Sequence, residues 1–191
     1  MAFQSIWYFT DLNPKIIEIV EEDLAQNFDS QLQDSKVGGG DYGTVDKDKR
    51  NAKNAWVPTN HWIAGFVWHY VQRANRENFL YDLTNIDAGL SSYYKPQAPG
   101  NRGHGSQIAE DFINENCEKV RKLSFSLLLS DPDTYEGGNL QLLDETGKSY
   151  IAPRQRGTII LFDSRTQHRV LKVKSGVRKS LVGWCVGPRF K

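Results

Sequence analysis

Gly157-Thr-Ile-Ile-Leu-Phe-Asp-Ser-Arg-Thr-Gln-His-Arg-Val-Leu-Lys-Val-Lys-Ser-Gly-Val-Arg-Lys-Ser-Leu-Val-Gly-Trp184 carries the densest strand signal in the chain. Apolar and β-branched residues cluster between turn residues such as Asp163-Ser164 and Ser175-Gly176, which predicts three successive short strands at 157–163, 168–174 and 178–186. His168 opens the second strand and Arg178 the third. Side chains alternate along a strand with period two, so Arg178, Ser180, Val182 and Trp184 share one face. A charge heading an otherwise apolar face is costly to bury unless an anion pairs with it, so Arg178 is a candidate acid-binding residue. His168 is a candidate metal ligand.

Upstream of this stretch the strand signal continues. Leu123, Phe125, Leu127 and Leu129 alternate with Ser124, Ser126 and Ser130, giving one apolar face and one lined by hydroxyls. A hydroxyl-lined face suits a cavity. Turns at Asp131-Pro132-Asp133, Glu136-Gly137-Gly138 and Asp144-Glu145-Thr146-Gly147 separate further short strands at 139–143 and 149–152. Six short strands after Arg121 at close spacing predict an antiparallel barrel or jelly roll.

The N-terminal part reads differently. Asn13-Pro14 followed by Ile16, Ile17, Val20, Leu24 and Phe28 predicts a capped helix with one apolar stripe. Residues 34–54, with Gly38-Gly39-Gly40 and no apolar period, read as a loop. A second helix is expected from about 60 to 75, with Trp62, Ile63, Phe66, Val67, Tyr70, Val71 and Ala74 on a broad apolar face; His61 and His69 belong to it as structural residues. Phe79, Tyr81 and Leu83 alternate as a strand, and 88–120, rich in Gly and Pro and carrying Tyr93, Tyr94, Arg102 and His104, reads as a lid. Helices first and strands later place the chain in the α+β class, with helices packed outside a β-sandwich.

Composition bounds the rest. A chain of 191 residues suits one domain, with 1–78 as helical support and 79–191 as the jelly roll. Twenty-four basic against twenty-three acidic residues give no broad basic field, so nucleic acid is not an expected partner. The two cysteines, Cys117 and Cys185, make no disulfide framework and are expected to be reduced. Neither a signal peptide nor an apolar run of membrane-spanning length is present, so no membrane partner and a cytoplasmic location are expected. Nothing fixes the oligomeric state.

Several separated motifs carry a resemblance. Arg121-Lys-Leu-Ser, then Ser130-Asp-Pro-Asp-Thr-Tyr-Glu-Gly-Gly-Asn-Leu-Gln-Leu, then Gly157-Thr-Ile-Ile-Leu-Phe, Gln167-His-Arg-Val and Gly176-Val-Arg-Lys-Ser resemble, in order and spacing, the 2-oxoglutarate and Fe(II)-dependent dioxygenases of the prolyl-hydroxylase-like type, including bacteriophage-encoded members. The resemblance implies a double-stranded β-helix (jelly roll, cupin-like) and hydroxylation of a prolyl, peptidyl or small-molecule substrate. Its cofactors would be Fe(II), 2-oxoglutarate as cosubstrate and molecular oxygen, with ascorbate as accessory reductant. It also makes His168 the distal iron ligand and has Arg178 and Ser180 hold the far carboxylate of 2-oxoglutarate.

The family's His-x-Asp pair is not intact in this chain. Either Asp87 is the metal carboxylate, with Asn85 where the first His belongs, or Asn85-Ile86-Asp87 ends the preceding strand and a segment is lost. Counting 79–83, the expected strands number seven, one short of a jelly roll's eight. His104 is a further candidate donor. The alternative function is a jelly-roll binding module derived from such an enzyme, catalytically impaired by loss of the first metal His.

Overall fold

Helix α1 (Pro14–Phe28) starts where the sequence predicts, with Asn13 Oδ1 accepting from the Lys15 N–H at 2.9 Å and Pro14 in the first turn. Ile17, Val20, Leu24 and Phe28 form its buried stripe. Helix α2 (Trp62–Ala74) buries Ile63, Val67, Val71 and Ala74 at the same spacing. The computed structural model describes residues 5–36, 43–47, 51–96, 119–144 and 146–189.

Both helices cover one face of a seven-stranded sheet. Its strands are β1 (Ile6–Phe9), β2 (Gln33–Asp34), β3 (Ala52–Val57), β4 (Asn85–Tyr94), β5 (Lys119–Leu128), β9 (Ile159–Asp163) and β12 (Arg178–Pro188). They run in the order β1-β9-β5-β12-β4-β3-β2, every pair antiparallel. Smaller sheets complete the sandwich: β10 (His168–Val170), β7 (Leu140–Leu143) and β8 (Ser149–Ile151) in one, β11 (Val173–Gly176) and β6 (Tyr135–Gly137) in the other.

Period-two alternation divides the main sheet between two cores. Leu123, Phe125, Leu127, Ile159, Leu161, Leu181 and Cys185 face the helices and pack with Ile17, Leu24, Ile63 and Val67. Ile160 and Phe162, one residue out of phase, point the other way, towards Leu140, Leu142 and Ala152. On this inner side lie Ser124, Ser126 and Ser180, as the hydroxyl-lined strand face led us to expect. Each fully buried Leu or Ile contributes about 1.5–3 kcal/mol, so the helical side, with the larger apolar cluster, carries most of the stability.

Several elements depart from the sequence reading. The expected strand at 79–83 is absent: α2 runs on into a wider turn, Asn75–Phe79, that ends at Leu80 with φ 55°. There the Asn75 side chain bonds both the N–H and the carbonyl of Tyr81 at 2.8 Å, and Tyr81 and Leu83 pack singly against the helical-side core. The strand begins instead at Asn85 and continues to Tyr94, so the start of the expected lid is sheet. Residues 97–118, including Arg102, His104 and Cys117, lie outside the described residues. Part of the expected 34–54 loop forms β2 and the start of β3, and β1 was not foreseen, so the N-terminal 78 residues supply strands as well as helices. The expected strand at 168–174 is divided between β10 and β11, which join different sheets.

Candidate functional site

Arg178 is 3 % exposed. It opens β12 on the inner face, opposite Tyr94 of β4, and its Nη1 donates to Ser180 Oγ at 2.9 Å. The shared face inferred from their spacing is thus a direct contact, and it fixes the guanidinium plane. Burial drives the basicity of Arg178 down, while the phenols of Tyr94 and Tyr135 act in the opposite sense. Among the described residues no carboxylate pairs with it. A buried, unpaired guanidinium is costly, and an incoming carboxylate would relieve that cost with two parallel hydrogen bonds.

The room for this side chain comes from a glycine. Gly138 has φ +64°, and a Cβ there would meet Arg178 Cδ at 3.1 Å and Val173 Cγ2 at 3.0 Å. The Glu136-Gly137-Gly138 stretch, read from sequence as a turn, therefore also lets β6 and the Asn139 region close over the Arg178 stem. Beyond the guanidinium a pocket opens between the sheets, lined by Ser126, Leu140, Ile160, Tyr135, Arg154 and Thr158 among others.

His168 stands at the other end of the inner space. It faces Leu142 across β7, and its ring lies 4.7 Å from that of Phe162, itself on the inner face. His168 Nδ1 is 2.9 Å from the Thr166 carbonyl oxygen. A carbonyl only accepts, so Nδ1 carries a proton; in the neutral imidazole this is the tautomer whose Nε2 has the lone pair that a metal ligand needs. The turn beneath is held by Asp163, which is 4 % exposed. Its Oδ1 accepts from the Arg165 backbone N–H, its carbonyl accepts from the Thr166 N–H, and its Oδ2 accepts from Tyr81 Oη and Arg165 Nη2. Burial raises Asp163, but the hydrogen bonds from Arg165 and Tyr81 outweigh it and hold the carboxyl below its ordinary range. Tyr81 is pushed up to about 12 by burial and by Asp163.

Asp87 lies inside β4, seven residues before Tyr94 and beside the bulge opposite Trp184 and Cys185, not at the junction of strand and lid. It is ion-paired with Arg121 Nε at 3.5 Å, and that guanidinium stacks 4.1 Å above the Trp184 ring. Trp184 is level with Ser124, and Ser124 with Phe162, so Asp87 shares the His168 end of the molecule. The β4 strand is three strand steps from β9, however, which is about 14 Å across a sheet.

The described residues fit the acid and do not by themselves complete an iron centre. Among them no group of three His, Cys, Asp or Glu side chains comes together. His61 caps α2 and pairs with Asp23 at 3.2 Å, and His69 packs edge-on against Tyr70, both on the helical side. His104 lies outside the described residues.

Sequence reasoning missed Tyr135, Gly138, Asn139, Arg154 and Thr158. Only the Gly pair gave a signal, since adjacent glycines before a strand often mark a close backbone approach.

Comparison with known proteins gives consistent results. Residues 91–186 match the family model of the 2OG-Fe(II) oxygenase superfamily. A PKHD-type hydroxylase of Synechococcus elongatus is 34% identical over 140 residues, covering 69% of this chain but 59% of its own length, so the chain spans about three fifths of that relative. In fold, the chain is similar to a Pseudomonas putida prolyl-4-hydroxylase, with TM-score 0.69, 16% identity and coverage of 98% and 94% of the two chains. It is also similar to a Trichoplax adhaerens prolyl hydroxylase in complex with a hypoxia inducible factor peptide fragment, with TM-score 0.66, 16% identity and coverage of 95% and 83%.

Proposed function

The chain belongs to the 2OG-Fe(II) oxygenase superfamily, and from that premise we propose that it is a 2-oxoglutarate- and Fe(II)-dependent hydroxylase acting on prolyl groups of a peptide or protein. The observation that carries this reading is Arg178, buried on the inner face of a jelly roll, bonded to Ser180 and facing a pocket without a carboxylate of its own. Arg178 receives the far carboxylate of 2-oxoglutarate as a bidentate pair, and Ser180, whose oxygen already accepts from the guanidinium, adds its own O–H. His168 presents Nε2 to the metal. When bound, iron supplies the oxidation by molecular oxygen; the protein's part is to orient the acid, hold the imidazole tautomer and exclude water. The prolyl substrate is supported by the prolyl hydroxylases among its likenesses.

A specific observation favours a second reading, an anion-binding module without turnover: the described residues lack a three-donor metal group. Turnover separates the two. With Fe(II), 2-oxoglutarate and oxygen, the hydroxylase reading predicts that succinate forms faster in the presence of proline-containing peptides, and that Arg178→Ala removes at least about 90 % of it, the loss of a charge-assisted pair. Binding of 2-oxoglutarate without succinate under any peptide would establish the module instead.

A further inference from the structure

The pocket beyond Arg178 holds polar atoms that the fold leaves without partners. Arg154 Nε, Thr158 Oγ1 and Asn139 Oδ1 are all buried and unbonded, and all three residues line this one space. Only one other side-chain atom among the described residues, Ser35 Oγ, shares that condition, so the clustering is not a general looseness of packing. Folded proteins leave few such groups, because each costs about 1–3 kcal/mol. Two of the three, the guanidinium Nε–H and the threonine O–H, are donors, and the Asn139 amide offers a donor from its other atom when turned over.

The charge of the lining points the same way. It contains two arginines, Arg178 from β12 and Arg154 from the loop before β9, and no aspartate or glutamate. Arg154 is anchored through Nη2, which donates to the carbonyls of Pro132 and Tyr135 at 3.2 Å, and its guanidinium carbon stacks 4.7 Å from the Tyr135 ring. Its head group is thus held in place while Nε–H stays unbonded. Leu128, Leu140 and Ile160 make up the apolar part of the lining.

We propose that Arg154 and Thr158 form the second half of the acid seat, so that the far carboxylate of the cosubstrate is clamped between Arg178 with Ser180 on one side and Arg154 with Thr158 on the other. This rests on 2-oxoglutarate being the acid that binds. The consequence is selectivity: a 2-oxo acid of the same length that lacks the far carboxylate leaves four donors unsatisfied, among them the buried Arg178 guanidinium and the buried Nε–H of Arg154, and is rejected more strongly than one arginine would achieve.

Anaerobic calorimetric titration of the Fe(II)-loaded protein tests this with two probes, 2-oxoglutarate and 2-oxovalerate, which match in length and differ in the far carboxylate. Arg154→Gln is expected to weaken 2-oxoglutarate about tenfold, as for a hydrogen bond to a charged group, and Thr158→Val about threefold, as for an ordinary net hydrogen bond, with 2-oxovalerate unchanged in both. Thr158→Val guards against a folding artefact, because a hydroxyl without a partner is removed at little cost and the melting temperature should hold. Wild-type affinity for 2-oxoglutarate in both variants, with loss in Arg178→Ala, would leave the seat to Arg178 alone and overturn the clamp while sparing the functional reading. Equal weakening of both acids would reassign Arg154 and Thr158 to structural support. No binding of 2-oxoglutarate by the wild type would overturn the clamp and the cosubstrate assignment together.

Discussion

Arg178 and Ser180 were legible in the sequence because a strand's period of two leaves no choice about which residues share a face. Arg154 was not, since it lies in a connection between strands where no period relates one side chain to the next; Thr158 fell inside the expected 157–163 strand, but a lone hydroxyl there carries no charge to single it out, and in the structure it precedes β9. Asp163 looked like a turn residue and is one, but its burial and its bond to Tyr81, 82 positions away, are long-range facts that no local pattern carries. Asp87 was singled out by its place before a Tyr-rich segment; in the structure the strand runs on past it and its carboxylate is ion-paired with Arg121, a long-range contact that the sequence does not carry. The Asp163 network makes a prediction at this scale. A carboxyl with a depressed folded-state pKa stabilises the fold above its unfolded value, and that stability disappears as the pH falls through the folded value. Asp163→Asn is therefore expected to lower stability by about 2 kcal/mol at neutral pH, by the loss of bonds to a buried charged acceptor. Denaturant melts repeated at decreasing pH should show the gap to wild type closing below about pH 4, near the ordinary carboxylate value. A gap independent of pH would show that the ionised carboxylate is not what holds the turn.

The two helices were legible nearly to the residue, because a capped apolar stripe at helical spacing needs only local information. Strands fared less evenly. β5 alternates cleanly, β9 and β12 are apolar runs bounded by turn residues, and all three were found; β4 carries Gly89 and Ser91-Ser92 and reads as loop, although in the sheet it pairs with β12 from Asn85 to Tyr94 and with β3 from Gly89 to Tyr94. Gly89 in fact lies 3.6 Å from Val57 through its would-be Cβ, an ordinary contact that the strand accepts without strain. Tertiary pairing overrides weak propensity here. The element that shapes the site most is the short β6 with its glycines. Gly138→Ala puts a side chain at φ +64°, worth about 1–2 kcal/mol of backbone strain, and presses it against the Arg178 stem. We expect the variant to fold with a lowered melting temperature and to bind 2-oxoglutarate several-fold more weakly; wild-type affinity would mean that the stem can move aside without disturbing the seat.

At the scale of the whole molecule, one sheet serves two purposes. Its outer face is packed with large apolar residues under α1 and α2, and its inner face, with serines and a buried arginine, has the smaller core and the site. This division explains why a chain with so polar an inner wall still folds: the helical side supplies the stability that the site forgoes. The jelly-roll architecture was legible from the even strand spacing after Arg121; the contribution of β1, β2 and β3 to the main sheet was not, because strands of two to six residues leave little pattern to read. Among the described residues no helix is long and apolar enough to cross a membrane.

The proposed hydroxylase must hold iron and 2-oxoglutarate on one scaffold. An anaerobic titration of the protein with Fe(II) and 2-oxoglutarate, followed through the visible charge-transfer absorption of the metal–acid chelate, shows whether it does. A band that saturates with 2-oxoglutarate is expected in the wild type, persisting in Asp87→Ala and lost in His168→Ala. No band in the wild type at saturating iron and 2-oxoglutarate would rule this out.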